Sequence, residues 1–386
     1  MRTIDTEQLP VYVWGDAIDE QTLAQARNLA NLPFASHHVA LMPDAHVGYG
    51  MPIGGVFAAR GRVIPHAVGL DIGCGVRGWR TNVPAGEFLR VREAVLGKVQ
   101  RAVPQGFDWH SSSQADRTDL FDTVPDVPAL RAEIAKAERQ VGSLGGGNHF
   151  IEVQEDPEGI AWVMVHTGSR NVGKQVAEHF DHVACDVTRR EGSLVPAEWG
   201  LADLDCDSEP GREYLAAMSW CMRFARESRR LIAETVQAAL DARFTGVSPD
   251  APIDVQHNYA SVERHFGEEV VVHRKGAIHA CGTVLVPGSM GSASYVGEGC
   301  SSPDAFESCS HGAGRAMGRK AAMRALSRES VLAELDELGI ALFKEHQRDV
   351  AEEAPEAYKD IEDVMRWQKD LVTPRVRLRP LGVVKG

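Results

Sequence analysis

In Ser308-Cys309-Ser310-His311-Gly312-Ala313-Gly314-Arg315 a histidine stands among residues too small to crowd it, with an arginine four positions later. The following residues, Ala316 to Leu326, have helix-forming composition, which predicts a helix with His311 just before its N-terminus. Free backbone N–H groups at such an end, with Gly312 and Gly314 beside them, would let a phosphate approach closely. A helix start carrying a solvent-exposed histidine fits the same residues.

Working outward, the same pairing of histidine and glycine returns at several strand ends. From His38 an apolar strand runs into a turn carrying Asp44 and His46, where Asp44 is either functional or a backbone cap. Gly54 to Pro65 reads as a hairpin that delivers the chain to Val68–Val76. There Asp71 and Cys74 stand three apart in a glycine-punctuated turn, able to converge on one cation, unless Cys74 is a small core residue. Gly145-Gly146-Gly147 precede Asn148 and His149, and three glycines in a row point to a backbone that passes close to a ligand. No GxxxxGK[ST] is present, so this is not a P-loop. The strand from Ile160 ends on His166-Thr167-Gly168-Ser169-Arg170, and that from Ile253 closes on His257. Val270 leads to Arg274 and Lys275, and the turn Pro287-Gly288-Ser289-Met290, with serines after it, could donate hydrogen bonds to a nucleotide.

Between these strands, helix patterns cover Asp19 to Ala30, Phe88 to Ala102, Val127 to Gln140, Gln175 to Glu191 and Gly211 to Arg243. Arg223, Arg226, Arg229 and Arg230 read as one solvated face paired with Glu227 and Glu234. The tail from Glu329 is expected to be helical up to Pro374, with Arg375 to Arg379 an edge strand. The result is a mixed α/β chain whose 386 residues, 44% hydrophobic, can bury a large core.

The totals exclude some functions. With 41 Lys and Arg against 54 Asp and Glu the formal charge is −13, the opposite of a generic nucleic-acid binder. Any polyanion site must be a local basic cluster in an acidic shell. Seven cysteines without a CxxC pair fit a reducing compartment. Met1 to Pro10 has no apolar signal core, and no run of about 18 apolar residues occurs, so a cytoplasmic protein with no membrane segment is expected.

Asp71, Cys74, His149, His166 and His257 combine into a carboxylate, a thiolate and three imidazoles. A structural zinc site favours closely spaced ligand pairs, whereas this dispersion is typical of a catalytic site assembled by the fold. Such donors fit Mn²⁺, Zn²⁺, Fe²⁺ or Co²⁺. Five ligands exceed what one catalytic ion with open positions needs, which leads to two ions with Cys74 able to bridge them. His311 is left over and suits a nucleophile toward phosphorus. Arg170, Lys275, Arg315 and Arg319 are the nearby anion handles.

The strings MPDAHVGYG, GLDIGCGV, GGGNHFIEV, HTGSR, HNYA, RKGA, PGSMGSASYV, CSHGAGR, AYKD and the terminal VKG resemble, in order, the RtcB family of GTP- and Mn²⁺-dependent RNA-splicing ligases, from Met42 to Gly386. The resemblance implies a single large α/β domain over residues 1–386, central sheets flanked by helices around a deep metal-containing cleft. It implies one Mn²⁺ on Asp71, Cys74 and His149, a second on Cys74, His166 and His257, and guanylylation of His311 with Asp44 in support. Asn148, Phe150, Ile151, Glu152, His257, Asn258, Pro287, Gly288, Ser289, Met290, Ser294, Gly312, Ala313, Gly314, Tyr358 and Lys385 would surround the GMP moiety derived from GTP. Arg170, Lys275, Arg315 and Arg319 would meet RNA phosphates. The implied reaction joins RNA 3′-phosphate or 2′,3′-cyclic phosphate ends to 5′-hydroxyl ends, in tRNA splicing or RNA repair, with an archease-type activator as a further expected partner. A 3′-end guanylylating enzyme with weak sealing and a catalytically silent RNA-binding protein are the alternatives. The chain departs from the family in its compact segment between Cys74 and Asn148 and in Asn171, where many members have glycine.

Overall fold

A computed structural model of the chain describes residues 1–345 and 347–386. Two large sheets carry the fold. The six-stranded sheet runs Arg2–Ile4, Val11–Val13, Ala35–His46, Ile53–Ala59, Glu268–Lys275, Asn258–His265. The larger sheet runs Ile253–Gln256, Gly75–Pro84, Ile160–Thr167, Phe150–Glu155, Val372–Lys385, Ser294–Cys300, Cys281–Val286, with Ala341–Phe343 also paired to Val372–Lys385. Pairing is antiparallel except for Val11–Val13 with Ala35–His46 and Ala341–Phe343 with Val372–Lys385. The expected mixed α/β architecture is what the chain adopts.

The sheets meet at a seam, and the seam is where the ionisable strand ends gather. Ile253–Gln256 belongs to one sheet and Asn258–His265 to the other, so His257 is the single residue at the crossing. Cys74 immediately precedes Gly75–Pro84, His149 precedes Phe150–Glu155, and His166 lies one residue before the end of Ile160–Thr167. Asp44 sits within Ala35–His46 near its end and is fully buried, rather than capping a turn.

Helices cover the larger sheet. Glu209–Asp241 starts where the Ser208 hydroxyl accepts the Gly211 N–H. Its buried residues Tyr214, Ala217, Cys221, Phe224, Ser228, Leu231 and Ile232 recur at three- and four-residue spacing, the stripe an amphipathic helix packs inward. Arg170–Glu191 packs beside it, burying Val172, Val176, Phe180 and Ala184.

Several local expectations change. Ile53–Ala59 and Arg62–Val63 do not pair with each other; the first joins Ala35–His46 and Glu268–Lys275, and the second pairs with Leu204–Asp205. The helix after His311 begins only at Arg319, so His311 does not stand just before its N-terminus as expected, although Gly318 and Arg319 line the same cavity. The Val127 to Gln140 pattern is split into Pro128–Arg131 and Ile134–Gln140. The tail holds two short helices, Arg328–Glu337 and Ile361–Trp367, separated by strand and 3₁₀ turns. Its final strand is central, not an edge: Ser294–Cys300 flanks its first half and Phe150–Glu155 its second. Among the described residues no helix is long and apolar enough to cross a membrane.

The expected solvated arginine face holds for Arg230, which pairs with Glu227 and Glu234, but not for Arg229. Arg229 is fully buried, with Nη2 2.7 Å from Asp254 Oδ1, and its Nη1 donates to the carbonyls of Gly73 at 3.1 Å and Thr167 at 2.9 Å. Removing one member of a buried pair leaves the other charge uncompensated. Arg229→Leu is therefore expected to lower stability by about 3–5 kcal/mol in chemical denaturation, whereas Arg226→Leu on the exposed face changes it little.

Candidate active site

Cys74 is the hub of the seam. Its Sγ lies 3.3 Å from His149 Nε2 and 3.3 Å from His166 Nε2. His149 Nε2 is 2.9 Å from Asp71 Oδ2, and His166 Nε2 is 3.4 Å from His257 Nε2. The donors form two groups that share Cys74: Asp71, Cys74, His149 and Cys74, His166, His257.

The chemistry of this set fits divalent cations. The Asn148 carbonyl 3.1 Å from His166 Nδ1 must accept a proton, which leaves the lone pair of Nε2 aimed at Cys74 and His257. Burial holds His166 and His257 neutral, the form that ligates metals. A tetrahedron with bonds of about 2.0–2.3 Å has edges of about 3.3–3.7 Å, which the 3.3 and 3.4 Å separations match. Burial and the Asp71 carboxylate push the Cys74 thiol well up, the environment that a bound cation would invert. Gly168 allows the close approach on the Asp71 side, since a Cβ there would stand 2.0 Å from Asp71 Oδ1.

His311 follows directly on the strand Ser308–Ser310, and its ring centroid lies 4.7 Å from that of His257. Asp44 Oδ2 is 2.7 Å from His311 Nδ1 and also accepts the His311 backbone N–H at 3.1 Å. A carboxylate can only accept, so Nδ1 is the donor, and in the neutral ring the lone pair lies on Nε2. Lys359 fixes the backbone around Asp44 by donating to the carbonyls of Pro43 at 3.0 Å and Ala45 at 2.7 Å. Gly314, at φ +70°, passes so close that a Cβ would meet the Asp44 carbonyl oxygen at 2.1 Å.

His311 opens on a cavity of about 360 Å³. Its walls include Asn148, Phe150, Glu152, Pro287 to Met290, Gly312 to Gly314, Tyr358 and Lys385, so most of the proposed nucleotide contacts come together. Ser294 stands behind the wall, its hydroxyl taking the Gly288 N–H at 3.2 Å and the Gln154 amide at 2.9 Å. Ile151 lies in the core behind the strand, and Asn258 braces the backbone, donating to Asp71 O at 3.0 Å and accepting from Gly276 N–H at 2.8 Å. Burial pushes Glu152 up to about 8.

The four cationic candidates divide. Arg315 and Arg319 line the cavity, Arg319 half exposed. Arg170 donates to Gly106 O at 2.7 Å and Ser143 Oγ at 3.0 Å, while Lys275 Nζ meets the carbonyls of Tyr49 at 2.7 Å and His66 at 2.9 Å. Burial pushes Lys275 down to about 7.

Glu353 was not singled out from the sequence. It is buried at the cavity wall, 3.2 Å from Lys385 Nζ and 3.3 Å from Arg315 Nη1, and it accepts the Tyr358 hydroxyl. Burial opposes its ionisation, yet Lys385 and the tyrosine hydrogen bond hold it below the usual carboxylate range. Nothing in the local sequence separates it from its acidic neighbour Glu352; only the pairing with Lys385 and Arg315 does.

An imidazole oriented by a buried carboxylate, opening on a nucleotide-sized cavity beside a cation-ready cluster, is the arrangement of an enzyme site. The family model described as tRNA-splicing ligase RtcB matches residues 25–131 and 123–386, and the chain belongs to that family. It is 34% identical to an Escherichia coli K12 protein named RNA-splicing ligase RtcB, over 99% of both chains. It is 35% identical to the tRNA-splicing ligase RtcB of Thermococcus kodakarensis, over 95% of this chain and 91% of the relative. The Mycobacterium tuberculosis protein named RNA-splicing ligase RtcB is 36% identical, over 94% of this chain and all of the relative.

Cation binding at the shared-cysteine cluster would have a thermodynamic signature. MnCl₂ at roughly 100 times its Kd is expected to stabilise the protein by about 2.7 kcal/mol, read as a rise in Tm. Cys74→Ser is expected to lose most of that rise, and His311→Ala to keep it.

Proposed function

We propose that this protein is an RNA ligase that acts in tRNA splicing or RNA repair, joining RNA 3′-phosphate or 2′,3′-cyclic phosphate ends to 5′-hydroxyl ends with GTP as the energy source. The observation that carries the reading is the Asp44–His311 pair, which engages Nδ1 and leaves Nε2 as the ring nitrogen available for attack, with His311 lining a nucleotide-sized cavity beside the Cys74 donors. Family membership supports the ligase class.

In this reading the GMP moiety fills the cavity. Guanine presents N–H donors on its N1/N2 edge and an acceptor at O6, which the buried Glu152 and Lys385 complement. Backbone from Gly312 to Gly314 and the Pro287 to Met290 turn enclose the ribose and α-phosphate. His311 Nε2 attacks the α-phosphorus, the P–O bond to pyrophosphate breaks, and Asp44 stabilises the positive charge that the ring acquires. An oxygen of the RNA 3′-phosphate then attacks the same phosphorus and His311 leaves as neutral imidazole. Finally the 5′-hydroxyl attacks the RNA phosphorus and GMP departs, with the new phosphodiester in place. A 2′,3′-cyclic end enters after one P–O bond is opened by water. Held by Asp71, Cys74, His149, His166 and His257, two Mn²⁺ ions would supply Lewis-acid neutralisation of the phosphate oxygens. Arg319, half exposed at the cavity, would contact phosphate, and Arg315 would do so only by exchanging its bonds to Glu353, Tyr358 and two carbonyls.

Incubation with GTP labelled at the α-phosphate and MnCl₂ is expected to give an acid-labile, alkali-stable covalent adduct that His311→Ala lacks. Absence of label under varied divalent metals would sink the reading. Asp44→Asn keeps the shape but removes the negative charge that stabilises the ring's developing positive charge, and is expected to slow labelling by about 10²–10⁴-fold. A ligation assay with 5′-hydroxyl and 5′-phosphate partners separates sealing from end-capping, because only a sealing enzyme consumes the 5′-hydroxyl strand.

A further inference from the structure

A second set of metal-ligating side chains converges at the opposite end of the strand that presents His311. His279 ends the strand Ala277–His279, Cys281 begins Cys281–Val286, and Glu307 immediately precedes Ser308–Ser310. Two residues apart on extended chain, His279 and Cys281 share a face. The three segments are tied at the backbone: Ala280 N–H donates to Glu307 O at 2.6 Å, Glu307 N–H to Ser302 O at 2.8 Å, and Ser301 N–H to Ala280 O at 3.2 Å.

The donor atoms are spaced for one ion. Glu307 Oε2 lies 3.2 Å from His279 Nε2 and 3.8 Å from Cys281 Sγ, and all three donors fall within 4.8 Å of one another. Edges of about 3.3–3.7 Å follow for tetrahedral zinc. The backbone is also held unusually. Of the six non-glycine residues with positive φ among those described, Ser301 at +49°, Phe306 at +47° and Glu307 at +52° all lie here. Such conformations persist only where the surroundings over-determine them, ligand clamps among them. His279 and Glu307 also line a second cavity, of about 450 Å³, with Tyr259, Ser261, Arg264 and His265.

We propose that His279, Cys281 and Glu307 form a zinc site separate from the Cys74 cluster, with three protein ligands and a fourth position facing the second cavity. A thiolate with an imidazole selects zinc over the hard cations that prefer all-oxygen sites. Glu307 is four residues before His311, about 13 Å of extended chain, so an ion here clamps the far end of the nucleophile's strand.

Cys281 has one competing use. Cys281 and Cys300 are register partners and both exposed. The Cys300 N–H goes to Leu371 O at 2.8 Å, away from Cys281, which puts the two cysteines at a non-hydrogen-bonded position where paired side chains lie closest. A disulfide there would leave no thiolate for zinc.

The test is zinc stoichiometry of the reduced, full-length protein, stripped of metal and titrated with ZnCl₂ against a chromophoric chelator. Cys281→Ser and His279→Ala are each expected to bind one ion fewer per chain than wild type, with unchanged circular-dichroism spectra, and Cys300→Ser to bind as many as wild type. Equal stoichiometry in wild type, Cys281→Ser and His279→Ala overturns the site. So does a Cys281–Cys300 disulfide that re-forms with zinc present. The measurement needs no ligase activity, so its failure and that of the RNA-ligase reading are distinguishable.

Discussion

Arg229 is the group on which the geometry of the seam depends. Its guanidinium bonds the carbonyl next to Cys74, the carbonyl next to His166 and the Asp254 carboxylate three residues before His257. A planar fork spreads its donors over separate nitrogens in a fixed geometry and so reaches three such acceptors at once, where a lysine would offer all its donors from one atom. The 33-residue helix Glu209–Asp241 is thereby a strut as well as a cover: its apolar stripe packs on the domain, and one buried cation sets the relative positions of three donor-bearing segments. Charge inside a core is costly, and this one is offset by an ion pair and two carbonyls.

The nucleophile is held by a different device. Asp44 reaches from the six-stranded sheet to His311, which follows the short strand Ser308–Ser310 paired with Ala277–His279, so the imidazole is placed by strands. Asp44 Oδ1, His149 Nδ1 and His257 Nδ1 are buried without partners among the described residues. Polar atoms buried without a protein partner are free to meet a ligand, as a site that holds cations and a nucleotide requires. Such a cluster marks where function, not packing, chose the residues.

Much of the site was legible because its chemistry is concentrated at strand ends rich in glycine. His149, His166, His257 and Cys74 each end or begin a strand, and Gly168 and Gly314 stand where a Cβ would collide with Asp71 or the Asp44 backbone. Those signals are local. Arg229 and Glu353 were not legible, since Arg229 is one of four arginines in a helical run and only Asp254, 25 residues away, tells it from exposed Arg226. The tail shows the same limit. Arg375, Arg377 and Arg379 alternate outward as read, with Leu378 buried between, but period two says which face is wet and not how many neighbours a strand has. Its central place follows from pairing with strands more than 70 residues earlier in the sequence.

Net charge adds a constraint on how such a site could engage a polyanion. At −13 the chain as a whole repels RNA, and that repulsion acts over the Debye length of about 8 Å at physiological salt. Attraction must come from cations nearer to the ligand than that. Half-exposed Arg319 at the cavity meets the condition, whereas Arg315 is held by the Met317 and Glu352 carbonyls, Glu353 and Tyr358, and Arg170 and Lys275 spend their donors on carbonyls. In the proposed reading, an RNA terminus would be held at the cavity, where its phosphate comes within reach of a cation despite the acidic shell. Recognition of ends over sequence is what a ligase requires, and in the proposed reading it rests on Arg319 at the cavity and not on a broad basic face.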